Sequence, residues 1–280
     1  MARKILLLIS CSIFLSLIAT AQSKNDSLSM YEARKTSVFL NAGGTQYVGD
    51  LWMVGDNFDP GLTFGIGIRQ RIAPMFSVRG DLTFYNIKGD DRNTTNLGRN
   101  NRNLSFKADN FEGVVMGVFH VFPDYSYISR PGFNLYFFAG IGMTTNNPKG
   151  KYLGEWHKLR PIQTEGNNYP AFVRVIPLGT GLTYKLSEKL DFGFEVAYRV
   201  TDTDYLDDVS NTYRPIDQFS DPVHRELSDR RTTGRGNYSE IRGNPTNNDS
   251  YWFVNFKLEY FLPYSFTQKL SRKKSTEKFR

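Results

Sequence analysis

Residues 251–262 read Tyr-Trp-Phe-Val-Asn-Phe-Lys-Leu-Glu-Tyr-Phe-Leu, and their alternation decides the fold. Trp252, Val254, Phe256, Leu258, Tyr260 and Leu262 fall on one face of a strand, whereas Tyr251, Phe253, Asn255, Lys257, Glu259 and Phe261 fall on the other. Successive side chains of a strand point to opposite faces, so one face is wholly apolar and the other holds the charges. The apolar face can meet lipid or a core. Just upstream, Leu190, Phe192, Phe194, Val196, Tyr198 and Val200 separate in the same way from Asp191, Glu195 and Arg199.

Six more segments repeat the pattern: 36–44, 61–69, 76–85, 106–122, 133–144 and 171–186. Leu62, Phe64, Ile66 and Ile68 alternate with glycines and Arg69; Phe76, Val78, Leu82 and Phe84 oppose Arg79, Asp81, Thr83 and Tyr85; Phe111, Val115, Phe119 and Val121 oppose Glu112, Met116 and His120. Most of these stretches are close to the roughly 9–11 residues that a tilted membrane strand needs. The connections run 45–60, 72–75, 88–105, 123–132, 146–170, 187–189 and 202–250, so long and short alternate. An up-and-down barrel with both termini on the short-turn side sorts its loops this way, and a Greek-key sandwich does not. The expected fold is all-β: an eight-stranded antiparallel up-and-down transmembrane β-barrel over residues 37–263, with long outer loops and short periplasmic turns. A secreted soluble barrel or sandwich is the alternative.

Eight strands enclose only enough room for side chains. Arg69, Arg79, Arg199 and Lys257 share the inward face with Asp81, Glu112, Asp191, Glu195 and Glu259, and are expected to pair into a plug rather than line a pore. Aromatics gather at strand ends: Phe122, Tyr125, Tyr260, Phe261 and Tyr264 at the inner end, and Tyr47, Trp52, Tyr85, Tyr251 and Trp252 at the outer. They read as two interface girdles.

The chain opens with Arg3 and Lys4, an apolar run from Ile5 to Ile18, and Ala19-Thr20-Ala21, which reads as a secretory signal peptide over residues 1–21. Cys11 lies inside that run, so the exported chain has no cysteine for a disulfide framework or a zinc site. Leu8-Ile9-Ser10-Cys11 only loosely resembles a lipoprotein box, because the apolar run continues past the cysteine. Residues 22–36 follow as an N-terminal periplasmic segment. The formal charge of +7 divides unevenly: +2 belongs to residues 1–21, and +5 to residues 264–280, where Lys269, Arg272, Lys273, Lys274, Lys278 and Arg280 face Glu277 alone. Residues 22–263 are neutral, which excludes a basic nucleic-acid-binding body. The tail is either a solvated terminus or a periplasmic contact with an acidic partner or lipid phosphate.

A barrel is scaffold, so function is expected in its loops. Four sets of strings stand out there. They are Tyr47-Val48-Gly49-Asp50-Leu51; Gly89-Asp90-Asp91-Arg92-Asn93 with Arg102-Asn103-Leu104-Ser105-Phe106; Asn147-Pro148-Lys149 with Leu159-Arg160-Pro161-Ile162-Gln163-Thr164-Glu165-Gly166; and Thr203-Asp204-Tyr205-Leu206-Asp207-Asp208-Val209-Ser210. In this order, over roughly residues 37–263, they resemble the PorG family of the Bacteroidetes type IX secretion system. That resemblance implies a non-enzymatic outer-membrane component of the secretion and gliding machinery, associated with a periplasmic ring of a PorK-like lipoprotein and a PorN-like subunit. The chain departs from the family pattern at Ile162-Gln163, where Leu-Gly is expected, and in a long Arg-rich and Asn-rich insertion over 211–250.

Each string also has a plainer reading. Asp202, Asp204, Asp207 and Asp208 are the carboxylate type a hard cation needs, but the glycine turn and distal Glu of an EF-hand are missing, which favours a solvated acidic turn capping a strand. Gly89-Asp90-Asp91 reads as a hairpin exit. Arg160 and Glu165 read as a loop clamp, paired with each other or with loop carboxylates. No cofactor, metal, nucleic acid or small-molecule substrate is expected. Catalysis is disfavoured: His120, His157 and His224 lie in different elements, no Gly-x-Ser-x-Gly string occurs, and Glu112 lies about 26 Å along the strand from His120. Two function classes remain: a structural component of the secretion machine embedded in outer-membrane lipid, or a stand-alone surface barrel that binds a ligand or adheres through its long outer loops.

Overall fold

The computed structural model describes residues 36–124, 131–235, 238 and 240–262. The proposed signal peptide, most of the segment after it, Tyr125, Tyr264 and the basic tail lie outside these residues. Ten strands form: β1 (Thr36–Val48), β2 (Gly61–Ala73), β3 (Phe76–Asp90), β4 (Ser105–His120), β5 (Phe133–Thr145), β6 (Pro148–Tyr152), β7 (Glu155–Lys158), β8 (Phe172–Lys185), β9 (Leu190–Thr201) and β10 (Ser250–Phe261). Hydrogen-bonded neighbours run β3-β2-β1-β10-β9-β8-β5-β4, and β4 returns to β3, so eight strands close into a barrel. Every barrel pairing is antiparallel. Closure removes the free sheet edges that would otherwise need partners.

The expected eight barrel strands are all present, the first three longer than the alternation marked, and the third outer loop adds a hairpin that the alternation did not suggest. That hairpin, β6–β7, pairs with β4 at Lys107 and Ala108, beyond the point where β5 leaves the wall. Because register and pleat fix which parity faces outward, the apolar residues of 251–262 and their counterparts form one continuous outer belt. Leu40 is 61% exposed, Leu82 65% and Ile141 72%. A broad surface concavity is lined by this belt, by Leu40, Ile66, Leu82 and Val115 among others, where lipid chains would lie. A polar core wrapped in an apolar exterior is the inverse of a soluble barrel, and fits a chain that crosses a membrane on its strands.

Inside, the charges pair as their shared parity requires. Glu195 accepts from both Arg79 (Nη1–Oε1, 2.6 Å) and Lys257 (Nζ–Oε1, 2.7 Å), and the Tyr136 hydroxyl donates to the same oxygen. Arg199 and Tyr251 hold Glu112 at 3.2 and 2.7 Å, while Arg69 holds Glu259 at 2.7 Å. Rings cover the remaining cation faces: Arg79 lies 4.7 Å from the centre of Phe138, and Arg199 4.5 Å from Phe253. His120 meets Arg69 and Ser77, so it has no part in a pair with Glu112.

The aromatic girdles need a correction. Tyr47, Tyr85, Tyr251 and Phe261 are buried in the lumen; only Trp252 and Tyr260 of those on the last strand face outward. Tyr251 shares its parity with Lys257, and Tyr85 with Arg79, so these side chains had to point inward. There they stack, Tyr85 on Tyr251 at 4.8 Å.

Candidate functional site

Four outer loops, 49–60, 91–104, 146–171 and 202–249, fold over one mouth of the barrel. Two arginines join them. The first, Arg102, ends helix α1 (Leu97–Arg102), whose N-cap Asn96 accepts from the Gly98 and Arg99 amides. Asn103 closes the helix in the left-handed conformation (φ 55°), a role that Asn tolerates better than most residues. The turn aims Arg102 inward, where it grips Asp91 with two bonds (Nε–Oδ2 2.8 Å, Nη2–Oδ1 2.7 Å). Two further N–H groups donate to the carbonyls of Asp50 (2.7 Å) and Arg242 (2.6 Å).

The second arginine, Arg242, is buried at the centre of the cap. It donates to Glu165 Oε1 (2.9 Å), to the Asp208 carbonyl and to the Ser228 carbonyl (3.2 Å) at the end of helix α2 (Pro222–Ser228). Glu165 in turn accepts from the amides of Ser210 (3.0 Å) and Asn211 (2.9 Å). Asp208, held at φ 69°, accepts from Thr164 Oγ1 (2.5 Å) and Tyr169 Oη (2.6 Å). Burial works against the Arg242 charge, but Glu165 and Asp208 outweigh it and raise the guanidinium above its ordinary value. Arg102 thus ties the first, second and fourth loops together, and Arg242 ties the third to the fourth.

Beneath this clasp lies an acidic layer. Tyr47 Oη is 2.7 Å from Asp207 Oδ2 and 2.6 Å from Asp249 Oδ1. A phenol has one proton to donate, so a carboxyl proton serves the other contact. Burial drives both carboxyls well up, Asp207 further by the Asp249 charge and Asp249 by Asp204. Burial also pushes Asp204 up to about 7, and Asp208 to about 6 despite Arg242. Such groups titrate near 4 when unfolded. The folded cap therefore binds their protons more tightly, and their contribution to its stability falls as pH rises through about 6 to 7. We expect the outer loops to resist protease better at about pH 5.5 than at about pH 8, and Asp204→Asn to flatten that dependence. Equal cleavage at both values would count against it.

Gly49 sits against this layer. A Cβ there would lie 2.0 Å from Asp249 Oδ1 and 2.1 Å from Tyr47 Oη, so no side chain fits. Gly49→Ala is expected to destabilise the cap by about 1–3 kcal/mol, read as a lower urea midpoint for loop opening.

The other sequence candidates fall around this clasp. Asp50 accepts from the Asn244 amide (2.8 Å), and burial raises its carboxyl. Asp90 caps the 3-10 turn Asp91–Asn93 through the Arg92 amide. Asn147 is half-buried beside buried Pro148, whose carbonyl accepts from Leu159 (2.9 Å). Gly166 turns the chain at φ 79°, Pro161 is exposed, and Tyr205 stacks on Tyr169 at 4.9 Å.

Two expectations are overturned. The ion-pair partner of Glu165 is Arg242, and Arg160 lies half-buried outside the clasp. The 204–208 turn is not solvated: Asp204, Asp207 and Asp208 are buried, and only Asp202 stays near solvent, paired with Arg174 at 2.5 Å. Arg242 and Asp249 carry no local signal in the sequence, because they sit in the polar 211–250 insertion, where no periodicity marks an inward position. The one available hint was the excess of arginine in that insertion opposite loops rich in aspartate.

Two small cavities, one beneath the clasp and one beside His120, measure about 10 and 20 Å³. Neither is wider than a single water.

The profile of a family described as a domain of unknown function (DUF6089) matches residues 14–221. Arg102, Glu165 and Asp208 lie within the matched span; Arg242 and β10 lie beyond it. No curated protein matches the sequence. Among solved structures, the chain is similar to neisserial surface protein A (11% identity, TM-score 0.43, 81% of this chain and 97% of that one). It is also similar to outer membrane protein W of E. coli (15%, TM-score 0.38, 83% and 100%) and to Ail, the attachment invasion locus protein of Yersinia pestis (10%, TM-score 0.37, 81% and 99%). The barrel assignment stands on the chain's own strand register, independently of these likenesses.

Proposed function

We propose, for a chain that belongs to the DUF6089 family, the role of a structural outer-membrane component of the type IX secretion and gliding machinery. In this role it anchors or contacts a periplasmic ring of PorK-like and PorN-like subunits and performs no catalysis. The observation that carries this reading is that the loop strings resembling the PorG family converge on one clasp. Arg102 is spent on Asp91 and the Asp50 carbonyl, Thr164 on Asp208, and Glu165 on the Ser210 amide and on Arg242. Groups so engaged serve the shape of the cap, which leaves the ring contact to the opposite rim and to the basic tail of residues 264–280.

Deleting the gene should abolish export of cargo proteins, and intact export would refute the assignment. Deleting residues 269–280 should weaken capture of a ring lipoprotein by crosslinking in native membranes; unchanged capture would make the tail a solvated terminus.

A second reading, a surface barrel that adheres through its outer loops, is supported by apolar side chains on the cap: Val54 (90% exposed), Leu97 and Leu153 (both 86%). Trimming the β6–β7 tip separates the two. Lost surface adhesion with normal export favours this reading, and no change in adhesion removes it.

A further inference from the structure

Four lysines stand in cross-strand register on the outward side of the wall. Lys88 of β3 lies opposite Lys107 of β4, Lys107 opposite Lys149 of β6, and Lys149 opposite Lys158 of β7. Residues directly opposed in antiparallel strands share a face, with Cβ atoms about 4.5–5.5 Å apart, and like charges so placed repel. Lys151 extends the row, its ammonium 5.9 Å from the centre of the Trp156 ring. Gly150, between Lys149 and Lys151, faces the other way, onto Leu159 and Leu227 of the cap.

Among the described residues, the carboxylates in contact with the row are Asp59, paired with Lys88, and Asp109, shared by Lys107 (3.5 Å) and Lys149 (3.0 Å). Five ammonium groups therefore meet two carboxylates. Slippage cannot relieve the repulsion, because a shift of one residue would turn Phe106 and Ile87 out of the core and the lysines into it.

The height of the row identifies its partner. Phe84 and Phe111 pair at 5.2 Å on the outward face, and Lys88 and Lys107 lie four residues beyond them. Four residues span about 13 Å of strand, or about 10 Å of height at a tilt of about 40°. That is the level of lipid headgroups, above the hydrocarbon and below the tips of the loops. Ammonium groups bind phosphate as point charges, and an indole beside them suits the same interface.

We propose that Lys88, Lys107, Lys149 and Lys158, with Lys151 and Trp156, form a binding surface for the phosphorylated headgroups of lipids in the outer leaflet. The bound phosphate offsets the repulsion that the strand register imposes. This surface is independent of the secretion role, since it requires only the barrel and its orientation in a membrane.

The test uses the full-length protein in phosphatidylcholine nanodiscs doped with diphosphoryl lipid A, and counts the lipid retained after gentle detergent release by native mass spectrometry. Wild type should retain diphosphoryl lipid A and not its dephosphorylated form. The variant K88Q/K107Q/K149Q/K158Q should lose retention at least about tenfold, given a contribution on the order of fivefold per lysine near a charged surface. K185Q/K189Q, altered at the opposite rim, should retain it as wild type does. Equal retention by wild type and the four-lysine variant would overturn the proposal, as would equal loss in both variants. Displacement by inorganic phosphate at concentrations comparable to the lipid would reassign the surface to the free ion and also overturn it. Heat-modifiable gel migration reports whether each barrel is folded; if the fourfold variant is not, K107Q/K158Q gives the same readout with a smaller loss.

Discussion

Arg242→Met is expected to release the outer cap from an intact barrel. The substitution keeps most of the side-chain volume but leaves Glu165 and Asp208 buried without their cation. Removing one partner of a buried ion pair costs about 3–5 kcal/mol, because the remaining charge has lost its solvent as well as its partner. At about 1.4 kcal/mol per factor of ten, a loop equilibrium shifted by that much opens roughly two to four orders of magnitude more often. Limited proteolysis should therefore cut within residues 202–249 at a rate raised by about that factor, while the barrel still migrates as a folded species in unheated gels. Arg102 keeps its grip on Asp91, so the second loop should stay protected. A double-mutant cycle with Glu165→Gln should show strong coupling, since the two side chains form one contact. Additive effects would mean that the clasp is not the link.

Glu195→Gln is expected to be the most damaging single change in the lumen. Glu195 is the acceptor for two buried cations, and Tyr136 joins the same oxygen. Neutralising it strands Arg79 and Lys257 together. Asp81 at 3.1 Å from Arg79 and Glu259 at 3.7 Å from Lys257 compensate in part. A loss of about 3–5 kcal/mol is anticipated, seen as a lower urea midpoint in lipid. Arg79→Met and Lys257→Met should each cost less, because Glu195 then keeps one cation. If either cation variant is worse than Glu195→Gln, the hub has been assigned to the wrong residue.

Much of this architecture was legible before any coordinates. Alternation in 190–201 and 251–262 gave both faces of β9 and β10, since lipid outside and ion pairs inside push the two parities to opposite extremes of polarity. The rhythm of long and short connections gave the topology. The girdle reading failed where aromatic character was weighed ahead of parity: Tyr85 and Tyr251 alternate with Phe84 and Trp252, and only the latter can face lipid. The clasp was legible in part. Asp91, Arg102, Glu165 and Asp208 lie in loop strings that stood out, but Arg242 lies 77 residues from Glu165 along the chain, in a segment without period. A pairing of that kind is fixed by the closed barrel, which brings the four loops to one mouth, and no local pattern encodes it.

With ion pairs filling its lumen and four loops clasped over its outer mouth, the barrel is expected to be sealed. Ion conductance of the purified protein in planar lipid bilayers tests this most directly. A lumen filled by the buried side chains of Arg79, Glu195, Lys257 and their partners is expected to insert without steady current. A stable ohmic conductance from the wild-type protein would mean that an open path runs through the lumen and past the clasp.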